Sequence, residues 1–544
     1  MASGPAPWVY RDGRRRRNGP TLLSELVQLV RDIGTSPSSN ARESAATNAL
    51  VACGELEAAL ADAGHRSAPS VALETDCLAA ALLGQALDSE HHAQVLEQLD
   101  VPAELLTSTQ EGCAFYALHP SSYARAAHDL GPCERALVVG IRTIGATLSA
   151  VVASALRGRG VHAARCTVRP GGHPYARTLE LDPSRARAVE RARAEHALAV
   201  VVDEGPGLSG STFLAVAERL ARAGIPDARI VLMASARFDA SKLAAADAAS
   251  RFRRFRTIVA PVEDDIPVYG TSLSGGVWRA RSFQHESSWP AVFAQMERRK
   301  ALIDGGTRLM KFEGLGPTGR AALERGQTLF QAGFVGPWRE EGRGYVSYRW
   351  EGAPCRAGEL DLALLEHLAS YCAKRPELCP PRAPPEDLGP MLEKNLAVLG
   401  HADVSVPRLL MVRAATVDGR MPPHEWLRRA DGTILKCDAI AHGDDHLFPG
   451  PTDIAWDLAG AMVEWRLAED ACEHLLNRYA ALSGDDARAR IDAWTVAYAT
   501  FRAALTALAF DQSSCSAERG RLARDLHLYR STITTARLRR GFHR

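Results

Sequence analysis

The stretch that most constrains this chain runs over residues 197–222, ALAVVVDEGPGLSGSTFLAVAERLAR. Residues 198–202 are five apolar residues in a row, the pattern of a strand buried on both faces. The carboxylates Asp203 and Glu204 follow, then a loop of small residues (205–212), and Phe213, Leu214, Val216, Ala217 and Leu220 recur at helical spacing. A strand that hands over to a helix in this way belongs to an α/β sheet, where ligands sit at the carboxyl ends of the strands. Glycines let backbone N–H groups approach phosphate oxygens, and the helix start adds unpaired donors and a favourable dipole. Ser209, Gly210, Ser211 and Thr212 are therefore candidates for a phosphate cradle, and Asp203 and Glu204 for holding a vicinal diol or a hydrated Mg²⁺. An ordinary βα turn whose Ser and Thr cap the helix fits the same loop; the acidic pair directly after the strand favours the cradle.

The surrounding segments repeat the alternation. ALVVG (136–140) predicts a second buried strand, followed by Arg142, Thr143 and Gly145 and by a helix over 148–156; 228–235 and 256–261 add further strands. The fold class expected is α/β, a doubly wound, mostly parallel sheet. VVVDEGPGLSGST resembles the 5-phosphoribosyl-1-pyrophosphate loop of type I phosphoribosyltransferases, with a loop one residue longer and Pro206 within it. That resemblance implies that Asp203 and Glu204 are catalytic and take the ribose hydroxyls. Residues 209–212 would take the 5′-phosphate, and Arg142, Thr143 and Gly145 the pyrophosphate, with Mg²⁺ as cofactor. Residues 162–181, with Arg169, His173 and Arg177 crowded in one loop, read as a closing flap or as a plain hairpin, and the Gly/Ser-rich segment 268–283 as a lid.

A second constellation begins near residue 300. Residues 287–303 read as a helix, 307–312 as a strand carrying Lys311, 319–332 as a helix carrying Glu324, and 345–350 as another strand. This order resembles the N-lobe and hinge of aminoglycoside phosphotransferase-like and choline-kinase-like small-molecule kinases. In such enzymes a strand lysine pairs with a helix glutamate and with nucleotide phosphates. The resemblance implies ATP as a cofactor, Lys311 and Glu324 as that pair, and Gly305-Gly306 as a faint glycine loop. It further implies Asp418 as the catalytic aspartate, His424 (or Glu425) and Asp438 as metal ligands, and Asp457 as a structural residue. Val417 stands where the family has a histidine, and His424 where it has an asparagine. The run HGDDH (442–446) holds ligand-type side chains at a contiguous spacing that suits no standard zinc site.

At 544 residues the chain has room for several domains. The expected division is a disordered tail (1–20), a helical accessory region (21–105), a phosphoribosyltransferase-like domain (106–285), a two-lobed α+β kinase-like domain (295–510, lobes 300–350 and 355–510) and an arginine-rich helical tail (511–544). The net charge of +1 argues against nucleic acid as a partner, and the local basic run 14–17 reads as solvated. Eleven cysteines without C-x-x-C pairs read as reduced thiols of a cytoplasmic protein, and no apolar span of membrane length interrupts the chain. Only six lysines occur, so a lysine inside an apolar strand stands out. Two functions are expected: phosphoribosyl transfer to a small-molecule acceptor coupled to a kinase-like half, or an inactive sensor of phosphoribosyl pyrophosphate or nucleotide. Small molecules and a second copy of the chain are the expected partners.

Overall fold

The computed structural model describes residues 6–260 and 270–540; what the sequence led us to expect of residues 1–5, 261–269 and 541–544 lies outside the described residues. The run 14–17, expected within a disordered tail, is the strand β1 (Arg14–Asn18). Its arginines are ordered because the backbone has a partner strand and each side chain has an acid: Asp12, Asp444, Glu104 and Glu25 in turn. Four helices follow, α1 (Gly19–Thr35), α2 (Ser39–Asp62), α3 (Ala68–Leu82) and α4 (Ser89–Glu97), and then β2 (Glu104–Ser108), which pairs antiparallel with β1. Asn18 and Ser38 cap α1 and α2 by accepting from Thr21 and Ala41 N–H groups. Two short helices, α5 (Glu111–Phe115) and α6 (Ser121–Ala126), lead into the sheet.

That sheet contains β3 (Arg135–Ile141), β4 (His162–Val168), β7 (Leu198–Val202), β8 (Ile230–Ala234) and β9 (Arg256–Val259) in the order β4-β3-β7-β8-β9, and every pairing is parallel. Between them lie α7 (Ile144–Gly158), the hairpin β5 (Gly171–His173) and β6 (Ala176–Thr178), α8 (Pro183–Ala194), α9 (Ser211–Arg222) and α10 (Ala248–Phe252). Alternate strand residues serve opposite faces. Val138, Val200 and Val202 pack with the side of α2 and α7, whereas Leu137, Val139 and Val201 pack with Phe213 and Leu220 of α9. Burial on both faces explains why β7 is continuously apolar.

The remaining chain builds a second body. Its antiparallel sheet comprises β10 (Thr271–Ser272), β11 (Lys300–Ile303), β12 (Arg308–Phe312), β13 (Trp338–Gly342) and β14 (Tyr345–Arg349), in the order β10-β11-β12-β14-β13, with α11 (Arg279–Ser282) before β11 and α12 (Gly316–Gln331) after β12. Residues 287–303, expected as a helix, are not one. Pro290 has no N–H to continue a helical ladder, and residues 300–303 spend their backbone groups on β12. A link over residues 350–354, whose end is β15 (Ala353–Pro354), crosses to the helical part.

There α13 (Leu362–Leu378), α14 (Gly389–Val398), α15 (Ala455–Glu464), α16 (Glu469–Ser483), α17 (Ile491–Gln512) and α18 (Ser516–Arg540) surround a core containing Trp456, Trp494 and Tyr498. Short strands β16 (Ala414–Thr416), β17 (Trp426–Arg428), β18 (Ile434–Lys436) and β19 (Pro451–Asp453) precede α15; β16 pairs with β19 and β17 with β18. The arginine-rich tail is a docked helix rather than an appendage, because α18 puts Leu522, Tyr529 and Ile533 into the interior. The eleven cysteines are free thiols. Among the described residues no helix is long and apolar enough to cross a membrane.

Candidate functional site

A cavity of about 700 Å³ lies between the antiparallel sheet and the helices beneath it. Leu309 of β12, Leu427 of β17 and Leu435 of β18 give it apolar walls, and the link from Trp350 to Pro354 closes one side. Lys300, Lys311 and Lys436 line it, half of the lysines in a chain whose basic charge is otherwise arginine. Lys300 and Lys311 stand directly opposite each other on β11 and β12. Like charges so placed repel, and the site answers with acids. Glu297 is 3.7 Å from Lys300, and Glu313 is 3.3 Å from Lys311. Asp438 pairs directly with Lys311.

Asp438 follows β18 with a left-handed backbone, φ 67°, a conformation Asp tolerates better than most side chains. Burial alone would raise its carboxyl, but the charges of Lys311, Lys300 and His442 hold it well below the usual carboxylate range. Burial would likewise lower Lys311, and Asp438 and Glu313 outweigh that and keep it protonated. The ion pair predicted with Glu324 does not form. Glu324 lies on the outer side of α12, where it binds Arg320 and Arg382, both half exposed. Gly305-Gly306 forms the turn between β11 and β12, so the glycine-bearing connection that opens this sheet is the one between β10 and β11, with Gly275 and Gly276.

Asp418 stands behind the cavity wall, its side chain fully buried. Its carboxylate accepts from Tyr371 Oη at 2.5 Å and contacts His442 Nδ1 at 2.8 Å, with Arg375 and Lys436 each 3.5 Å away. Burial would raise it, yet Lys436, His442 and Arg375 keep it far below the ordinary value. The residue expected to face a substrate is thus enclosed, and His442 connects it to the cavity, with Nε2 3.9 Å from Asp438. Asp457 accepts the N–H groups of Asp418 and Gly419 at 2.8 and 2.9 Å. His424 lines the cavity and stacks on Trp278, ring centroids 5.7 Å apart; burial lowers its pKa and leaves a neutral imidazole. Glu425 is held ionised by Lys436 against the effect of burial.

Sequence reasoning missed Glu313, Tyr371 and Arg375 around these groups, and Asp525 of α18 on the cavity wall. Burial lifts the Asp525 carboxyl to about 6. The signal for Lys436 was present: a rare lysine in the apolar strand ILK.

At the parallel sheet the expected cradle is closed by its own neighbours. Ser209 and Ser211 donate their hydroxyls to the carbonyl of Pro174, at 2.8 and 2.6 Å, where the β5–β6 hairpin folds over. Gly210 has φ 73°, and Thr212 lies in the first turn of α9. Asp203 accepts from the N–H of Glu204, whereas Glu204 accepts from Gly112 N–H at 3.1 Å, so different neighbours engage the two acids. Burial raises them to about 8 and about 7. Arg142 is spent on Asp62 at 2.6 Å, and Arg169 bonds the same carboxylate and Thr143 Oγ1. Gly145 is set by packing, since a Cβ there would sit 2.7 Å from the carbonyl of Val202.

No protein-family model matches the sequence, and no curated protein matches it. Among solved structures the chain is similar to choline kinase LicA from Streptococcus pneumoniae, at 12% identity and TM-score 0.28 over 43% of this chain and 89% of that one. It is similar to a choline/ethanolamine kinase family protein from Mesorhizobium loti, at 15% identity and TM-score 0.30 over 48% and 98%. A third is aminoglycoside 2′-phosphotransferase-IIIa in complex with GDP, at 12% identity and TM-score 0.30 over 45% and 92%. None of these proteins is a phosphoribosyltransferase, so the likeness gives that resemblance no support. At such TM-scores the likeness carries no functional argument, which rests on the residues of the cavity.

Proposed function

We propose that the cavity binds a nucleoside triphosphate and passes its terminal phosphoryl group to a small-molecule acceptor. One observation carries this reading: a buried lysine on the third strand of a five-stranded sheet, paired to an aspartate at the end of a short strand of the facing helical part, both lining one cavity. Phosphoryl transfer asks the protein for position and positive charge more than for covalent chemistry. Lys311, Lys300 and Arg298 supply that charge, and Leu309, Leu427 and Leu435 offer an apolar slot for a base. Asp438, kept ionised by Lys311, Lys300 and His442, is suited to hold a divalent ion, which when bound would neutralise phosphate charge, and His424, stacked on Trp278, lines the same cavity. As the bond from the terminal phosphorus to its bridging oxygen breaks and the bond to the acceptor forms, the acceptor proton leaves to a wall carboxylate or to water. Asp418 acts through His442 as a positioning residue.

The test is calorimetric titration of the full chain with Mg²⁺ and a non-hydrolysable ATP analogue. Wild type binds, while Lys311→Ala and Asp438→Asn weaken binding at least about tenfold, about 1.4 kcal/mol. Equal affinities in all three would defeat the reading.

The enclosure of Asp418 favours a second reading, a nucleotide-binding module without transfer. Slow release of terminal phosphate from ATP to water separates the two, because a sensor returns its nucleotide intact. For the parallel-sheet half, the acids at the end of β7 and the left-handed glycine before α9 support a site for phosphoribosyl pyrophosphate, entered only when the hairpin over Ser209 and Ser211 lifts. Donor affinity unchanged by Asp203→Asn with Glu204→Gln would remove that reading.

A further inference from the structure

Beside Asp438 lies a second arrangement of cation-binding groups. Asp418, Glu425 and His442 each offer one atom, and these atoms all lie within 4.8 Å of one another. Phosphoryl-transfer sites often hold two divalent ions, the second on a side chain a few residues past the catalytic aspartate. Glu425 lies seven residues past Asp418. The ammonium of Lys436, however, is already there, 2.5 Å from Glu425 Oε2 and 3.5 Å from Asp418 Oδ1. It also donates to the carbonyl of Cys437 at 3.2 Å and faces the Trp426 ring at 5.7 Å, and its side chain has no exposed surface.

We propose that this cleft works with one divalent cation, carried at Asp438, and that Lys436 is a built-in cation in the place of the second. The proposal rests on the nucleotide-binding reading above. The geometry explains why a buried lysine is tolerated here: its ammonium stands against both carboxylates, 2.5 Å from Glu425 and 3.5 Å from Asp418, in the position an ion shared by them would take.

The experiment counts Mn²⁺ by electron paramagnetic resonance in the full chain saturated with a non-hydrolysable ATP analogue, with analogue binding measured separately. Wild type is expected to hold one ion per chain. Lys436→Met is expected to hold two, the second on Asp418, Glu425 and His442, whereas Lys436→Arg stays at one. Two ions in wild type overturn the proposal, as does a folded Lys436→Met chain that holds only one. If Lys436→Met does not fold, the wild-type count still decides. A chain that binds no analogue defeats the nucleotide reading instead, so the two failures are distinguishable.

Discussion

The backbone N–H of Gly112 donates to Oε2 of Glu204 at 3.1 Å, and through it the acidic end of β7 is fastened to α5. The last residue of α5, Phe115, and its neighbour Tyr116 line the cavity of the other body. A Cβ at position 112 would meet the Glu204 carboxylate at 2.7 to 2.9 Å. Gly112→Ala is therefore expected to turn the Glu204 carboxylate away and to cost about 1 kcal/mol, the worth of the lost hydrogen bond, and to shift α5. Urea unfolding checks the first effect and nucleotide affinity the second. A variant as stable as wild type would show that this contact is loose.

The carboxyls of Asp203 and Glu204 give the parallel sheet a pH dependence of definite sign. Burial raises them to about 8 and about 7 when folded. The folded state then binds protons more tightly than the unfolded state, so the contribution is fully present below the unfolded value of about 4. It is lost as pH rises through the folded values. Asp203→Asn is expected to raise the unfolding temperature at pH 9 and leave it unchanged at pH 4. For a body of 150–250 residues each kcal/mol is worth about 2–4 °C. A variant curve parallel to that of wild type across this range would contradict the assignment.

Much of this was legible in the sequence, and what was not depends on distant pairing. β7 announced itself because a run of five apolar residues ending in two acids has few other uses. Lys311 and Asp438 were legible as a lysine within, and an acid after, apolar strands. The partners of Lys311 were not. The kinase resemblance pointed to Glu324, but α12 turns that residue outward, and Glu313 with Asp438 does the pairing. β1 was hidden because its partner β2 lies far along the chain and an arginine run has no strand pattern of its own. Residues 287–303 misled because apolar spacing fitted a helix, while Pro290 and the pairing of residues 300–303 with β12 forbade it.

These partners separate two carboxylates, Glu324, which the sequence singled out, and Glu313, which it did not. Glu324→Gln removes an acid from exposed pairs, each worth about 0–1 kcal/mol, and is expected to leave stability and nucleotide affinity unchanged. Glu313→Gln leaves Lys311 with one partner in a buried setting and is expected to cost about 3–5 kcal/mol. Thermal unfolding of both variants side by side checks this; a costly Glu324→Gln would restore the pairing inferred from sequence.

Asp457 offers the sharpest test of how the cavity floor is held. It is fully buried, its two oxygens accept from the N–H groups of Asp418 and Gly419, and Arg375 Nε lies 3.9 Å away. The segment it holds leads directly to Arg420 and His424 on the cavity wall. In Asp457→Asn one oxygen becomes an NH₂ that faces a backbone donor, leaving a buried N–H unsatisfied at a cost of about 1–3 kcal/mol. Asp457→Ala also strips Arg375 of a counter-charge, so it is expected to lose about 3–5 kcal/mol. Both variants should weaken the ATP analogue, because Arg420 and His424 move with the loop, while donor binding at the parallel sheet stays as it was. Denaturant midpoints and analogue affinity, measured on the same preparations, decide. Loss of stability without loss of affinity would mean that the floor is held from elsewhere, for instance through Arg375 and the carbonyl of Thr416, 2.9 Å apart.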